Sequence, residues 1–184
     1  MIKATIYLFT LLFTLQSYQA WSSEVKPVER IISLSPHITE LVFSAGAGNK
    51  LVGVSDYSNY PAQASQVPVV GSYQSVNIES IIALNPDLII TWKSATRPQD
   101  IEKLQSLGFN LWQTEIEQLQ DITQLIVQIG DKAGTLKQAQ QKADELNAIL
   151  REQAKKYQTK ASIRAFYQVW QQPLMTIIGK QFIS

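Results

Sequence analysis

The sequence contains no cysteine and only one histidine, His37. Without cysteine there are no disulfides to stabilise the fold and no acceptor for lipid attachment behind a leader, so a soluble product resting on its core is expected. Together the two shortages remove the usual His/Cys zinc site. Glycine is sparse, eight in 184 residues, and none sits in a Gly-rich phosphate loop or in the Gly-x-Ser-x-Gly turn that presents a hydrolase nucleophile. The formal net charge is only +1, with acids and bases interspersed, which leaves no basic stripe for nucleic acid. No motif pairs an acid with a base. The chain therefore reads as non-enzymatic, needing neither cofactor nor metal.

What is present begins with a leader pattern. Lys3 supplies a positive start and Ala4 to Leu15 form an apolar run too short to span a bilayer comfortably. Cleavage is expected between Ala20 and Ser23, so that residues 1–22 are signal peptide and the mature chain begins near Glu24. About 160 residues then remain, enough for one α/β domain and some extra. Short β-branched runs alternate with amphipathic stretches, the pattern of βα units and a mostly parallel, Rossmann-like sheet. Strands are expected at Arg30 to Leu34, Leu51 to Val54, Leu88 to Thr91 (with Trp92 just past its end) and Phe109 to Trp112. Ser35 and Pro36 read as the cap and first residue of a helix. Further helices are expected from Ile78 behind the cap Asn77, from Pro98 to Leu107, and from Ile122 to Ile129. Ser55 to Ser75, without sustained period, reads as loop.

From Thr135 to about Tyr157 the chain has neither Gly nor Pro and is rich in Gln, Lys, Ala, Glu and Leu, a composition favouring one long helix. At 1.5 Å per residue it would reach roughly 35 Å, longer than one small sheet requires, so it reads as a connector. Ile163 to Trp170 and Leu174 to Ile178 read as the strands of a second lobe that stops soon after it starts. The expected domains are an N-terminal α/β lobe at 24–134, the connecting helix at 135–160, and the beginning of a truncated C-terminal lobe at 161–184.

Four segments carry a resemblance: Arg30-Ile-Ile-Ser-Leu-Ser-Pro-His-Ile-Thr-Glu40, Gly53-Val-Ser-Asp-Tyr-Ser-Asn-Tyr-Pro61, Gly71-Ser-Tyr-Gln-Ser-Val-Asn-Ile-Glu-Ser-Ile81 and Leu84-Asn-Pro-Asp-Leu-Ile-Ile-Thr-Trp92. Together they resemble the vitamin B12-binding proteins of the helical-backbone solute-binding class. In that class two α/β lobes are joined by one long helix, the ligand lies between the lobes, and the loaded protein docks on an ABC permease of the inner membrane. The resemblance implies a periplasmic protein whose transported ligand is cobalamin, with iron siderophores and haem as the alternatives among relatives. It departs from the pattern in carrying only the opening strands of the second lobe.

A corrin calls for flat aromatic surface and a few polar contacts. Tyr57, Tyr73 and Trp92 follow expected strands or lie in the loop region, on the edge where open α/β sheets bind ligands. The resemblance implies that they contact the ligand, although aromatics in loops also serve simply to cover sheet ends. Met175, near the second lobe's first strands, is a further candidate contact and equally a core residue. Glu79 suits the start of a helix electrostatically, and the resemblance implies that it pairs with permease arginines. Tyr60 reads as turn chemistry with its ring packed inward. His37 reads as a first-turn helix residue rather than a metal ligand or base.

Overall fold

The computed structural model describes residues 26–72, 74–164, 166, 168–172 and 175–176. The expected signal peptide at 1–22 and the candidate Tyr73 lie outside the described residues. Five strands form one parallel sheet: β1 (Ile31–Ser33), β2 (Leu51–Ser55), β3 (Val69–Gly71), β4 (Leu88–Trp92) and β5 (Leu111–Thr114), in spatial order β3-β2-β1-β4-β5. Every neighbouring pair is parallel. The chain works outward from β1 to β3 and then crosses back to β4, which makes the β1/β4 boundary the point where the winding reverses.

Both faces of a parallel sheet are covered by its crossover helices, so its strands read as continuous apolar runs. Helices α1 (Pro36–Ser44) and α4 (Leu119–Ala133) cover one face, burying Ile38, Val42, Ile126 and Ile129 against Ile31, Val54 and Ile90. Helices α2 (Ile78–Leu84) and α3 (Pro98–Ser106) cover the other, where Ile81 and Leu104 meet Ile32, Ile89 and Val70. Consecutive residues Ile31 and Ile32, or Ile89 and Ile90, thus serve opposite cores, as the two-residue period of a strand requires.

Local chemistry marks the ends. Asn77 caps α2, its side chain accepting from Ser80 N at 2.9 Å. Asn85 closes the same helix in the left-handed region, and the turn is tied down by Asp87, whose carboxylate accepts from the backbone N–H groups of Glu29 and Arg30. Asp121 accepts from the backbone N–H groups of Glu117 and Gln118 at the start of α4, and Gly134, at φ 69°, ends it. Helix α5 (Leu136–Tyr157) then folds back along α4. The two approach closely because Gly130 faces Ala139; a Cβ at Gly130 would collide with the Ala139 methyl.

Several expectations are corrected. Within Ser55 to Ser75 the chain forms β3 and a short 3₁₀ turn at Ala62–Gln66. Strand β5 starts two residues later than expected, because Gly108 at φ 82° and Phe109 complete the turn out of α3. Trp92 is the last residue of β4 rather than just past it. Helix α4 is longer at both ends than Ile122 to Ile129. Helix α5 does run as one 22-residue element, about 33 Å long, but buries only Ala139 and Ala143, and residues 151–157 are exposed. After it, residues 161–164 are not strand; β6 (Gln168–Trp170) and β7 (Met175–Thr176) form a two-stranded antiparallel pair.

Candidate functional site

The carboxyl ends of β1, β2, β3 and β4 open onto one shallow cleft. Its lining includes Leu34 and Ser35 after β1, Asp56 and Tyr57 after β2, Ser72 after β3, and Trp92 closing β4. Thr96, Arg97 and Asp100 complete it on the α3 side. The cleft lies across the β1/β4 reversal, where a ligand can enter between loops that diverge to opposite faces of the sheet. Its volume is about 140 Å³, well under the roughly 300 Å³ of a pocket that encloses a drug-sized molecule. It presents a wall rather than an enclosure.

Trp92 is the best-held group on that wall. Its indole Nε1–H donates to Glu115 Oε1 at 2.7 Å. The other oxygen of the same carboxylate accepts from the Ser94 hydroxyl. The His37 ring meets the indole edge-on, with centroids 4.9 Å apart and planes at 85°, a favoured aromatic arrangement. His37 Nδ1 in turn lies 2.7 Å from Ser35 Oγ. Serine 35 stands at the N-cap position of α1 as expected, but its side chain makes no cap bond and holds the imidazole instead. Hydrogen bonding by Ser94, and less by Trp92, holds the Glu115 carboxyl below its ordinary range despite partial burial. Burial pushes the His37 imidazole down, opposed by the smaller attraction of Glu115.

Tyr57 stands differently. It is 76% exposed and sits at φ 61°, in the left-handed region that non-glycine residues seldom occupy. The turn that carries it is fixed from below by buried hydroxyls. Thr39 Oγ1 lies 3.0 Å from Ser33 Oγ and 3.1 Å from Ser58 Oγ, and Ser55 Oγ lies 3.3 Å from Ser58 Oγ. Helix α1 is thereby tied to the residue following Tyr57. The cation on the wall is Arg97, whose guanidinium makes two hydrogen bonds of 2.9 Å to Asp100.

The structure therefore brings Tyr57 and Trp92 to one cleft. Tyr60 is 66% exposed, not packed inward, and does not line it. Glu79 is exposed on the first turn of α2 and is not among the lining residues. Met175 lies in β7, and its side chain is outside the described residues. Glu115, Ser94 and the wall role of His37 escaped the sequence reading. No local signal marks Glu115: it follows Thr114, whose pairing with Trp92 in the parallel register is a contact between distant segments.

The profile of the family described as periplasmic binding protein matches residues 31–181. The chain belongs to that family. Among curated relatives, the vitamin B12-binding protein of Vibrio parahaemolyticus serotype O3:K6 is 37% identical over 159 residues, 86% of this chain and 58% of the relative. The crystal structure of the periplasmic vitamin B12 binding protein BtuF of Vibrio cholerae superposes with a TM-score of 0.78 at 38% identity, covering 82% of this chain and 59% of that one. A periplasmic heme binding protein from Pseudomonas aeruginosa superposes at 0.64 with 26% identity, over 70% of this chain and 46% of that one. The chain thus spans less than two thirds of the length of these periplasmic binding proteins.

Proposed function

We propose that this chain forms one wall of the ligand cleft of a periplasmic protein that captures cobalamin and delivers it to an ABC permease of the inner membrane. The reading rests on one observation: the wall at the β1/β4 reversal carries aromatic surface from Trp92 and Tyr57, while its cation, Arg97, is already engaged by Asp100. A corrin is a broad, largely apolar disc fringed with amides, and it gains most from flat aromatic contact. Ferric siderophores and haem carry acidic groups that call for unengaged cations. The kinship with proteins named for vitamin B12 supports the same choice.

Tyr57, Tyr73, Trp92 and Met175 are the proposed ligand contacts, Glu79 the proposed permease contact, and residues 1–22 the proposed export signal. The protein acts here as a transport component without catalysis. Equilibrium titration of cyanocobalamin, haem and a ferric siderophore into a version carrying a complete second lobe tests the reading. Cyanocobalamin should bind tightest; preference for haem or the siderophore overturns it. In that version Trp92→Ala should weaken cyanocobalamin by at least ~1 kcal/mol, about fivefold, through loss of one aromatic face. Tyr60→Ala should leave affinity unchanged, and equal losses for the two would refute the site assignment.

A further inference from the structure

Two groups that no ligand need touch, Glu115 and His37, meet the Trp92 indole. Its N–H is held at 2.7 Å by Glu115 Oε1, and Glu115 is itself fixed through its second oxygen by Ser94, two residues beyond Trp92 on the chain. The ring also packs against His37, the two planes near perpendicular. An indole turns about two side-chain torsions, and rotating either one would take Nε1 out of reach of the carboxylate. Glu115 directly follows β5 and Trp92 closes β4, so the parallel register of the two strands helps set the spacing of the clamp. A carboxylate, itself held by a hydroxyl, is thus committed to the N–H of a half-buried ring at the margin of one core.

We infer that Glu115, anchored by Ser94, is a positioning residue that locks the Trp92 indole in the orientation used for ligand contact. The inference rests on the cobalamin reading for its ligand and on the clamp geometry for everything else. Binding a flat ligand to a ring that is already fixed avoids the entropy of ordering it, which for one side chain amounts to roughly a three- to tenfold change in affinity. Removing Glu115 should therefore weaken binding by that factor although Glu115 is not itself a proposed ligand contact.

Two measurements test this separately. The first uses the present chain without ligand. The indole ¹H–¹⁵N signal of Trp92, assigned by its loss in Trp92→Phe, should show the backbone-like order of a fixed ring. Glu115→Ala should shift it and raise its mobility. Glu115→Gln, whose amide oxygen can accept from the indole while its NH₂ faces Ser94, should restore the order. Glu117→Ala, which removes a nearby acid that does not touch the indole, should leave the signal in place. An equally ordered Trp92 indole in Glu115→Ala overturns the clamp.

The second measurement is cyanocobalamin titration of the version with a complete second lobe. Glu115→Ala should bind about three- to tenfold more weakly than the unsubstituted protein, and Glu115→Gln within about twofold. Tight and equal binding by the unsubstituted and Glu115→Ala proteins overturns the positioning role and leaves the cobalamin reading standing. Failure of the unsubstituted protein to bind cyanocobalamin overturns that reading, and the ligand role of the clamp with it.

Discussion

Tyr57 combines a left-handed backbone, φ 61°, with a side chain that is 76% exposed. A Cβ in that region meets the neighbouring carbonyl at a cost of about 1 kcal/mol or more, which only glycine avoids, and so exposed a ring returns little burial energy in compensation. Tyr57→Gly should therefore be more stable than Tyr57→Ala by about 1 kcal/mol in urea unfolding, while both lose cyanocobalamin affinity alike in a version with a complete second lobe. Equal stabilities would show that the turn relaxes and that its hydroxyl anchor through Ser58 does not hold it. His37 bears a different signature. Burial holds its imidazole below the ordinary value of 6.5, so as pH falls through about 6.5 the unfolded chain takes up a proton that the folded chain resists. Stability is complete above that value and declines as pH falls from there towards the lowered folded value. The contribution of Glu115, lowered from 4.5, is lost only as pH falls from about 4.5 towards its lower folded value. Between about pH 7.5 and 5.5 the thermal midpoint of the unsubstituted protein should thus fall by more than that of His37→Gln; parallel declines would remove His37 as the cause.

One half-buried charge joins several elements mechanically. The Lys50 ammonium, 14% exposed, donates to Ala133 O at the end of α4, to Val28 O ahead of β1, and to Glu29. Two segments distant in sequence thus meet on one side chain that precedes β2. Lys50→Met keeps most of the stem but strips two carbonyls of their charged donor, and should cost about 2 kcal/mol in chemical denaturation; a loss below ~0.5 kcal/mol would assign the junction to the core instead. None of this was legible in the sequence, where Lys50 is one lysine beside a glycine and an asparagine. Legible elements were those whose signal is local. Asn77 announces α2, and the Gly- and Pro-free run the length of α5. Strand β3 was missed because Val69 is exposed and Gly71 has no side chain, leaving Val70 as its one buried residue and no alternation to detect. The register of β4 with β5 is equally non-local, which is why Trp92 was found as a lone aromatic and its partner Glu115 was not.

At the scale of the molecule, the two proposed functions occupy different places: Trp92 and Tyr57 line the cleft, whereas Glu79 lies outside it on the first turn of α2. That separation makes capture and docking independently testable. With a formal net charge of +1, the chain has no strong overall field to steer it, so orientation towards a partner must come from local charges. An exposed carboxylate acts mainly through the encounter rate, and its influence fades beyond a screening length of about 8 Å at physiological salt. At the start of α2 the same charge also favours the helix, by at most about 1 kcal/mol. The two roles predict different outcomes for Glu79→Gln in a version with a complete second lobe. If Glu79 serves only the helix, the substitution should lower the thermal midpoint slightly and leave delivery to the permease unchanged. If it docks on cationic groups of the permease, cyanocobalamin affinity should stay intact while association with the reconstituted permease slows several-fold at low salt. The rate should also become less sensitive to added salt, because the attraction that salt screens is gone. Association at the unsubstituted rate at both low and high salt, measured by surface-immobilised permease, would exclude the docking role and leave Glu79 as a helix-end charge alone.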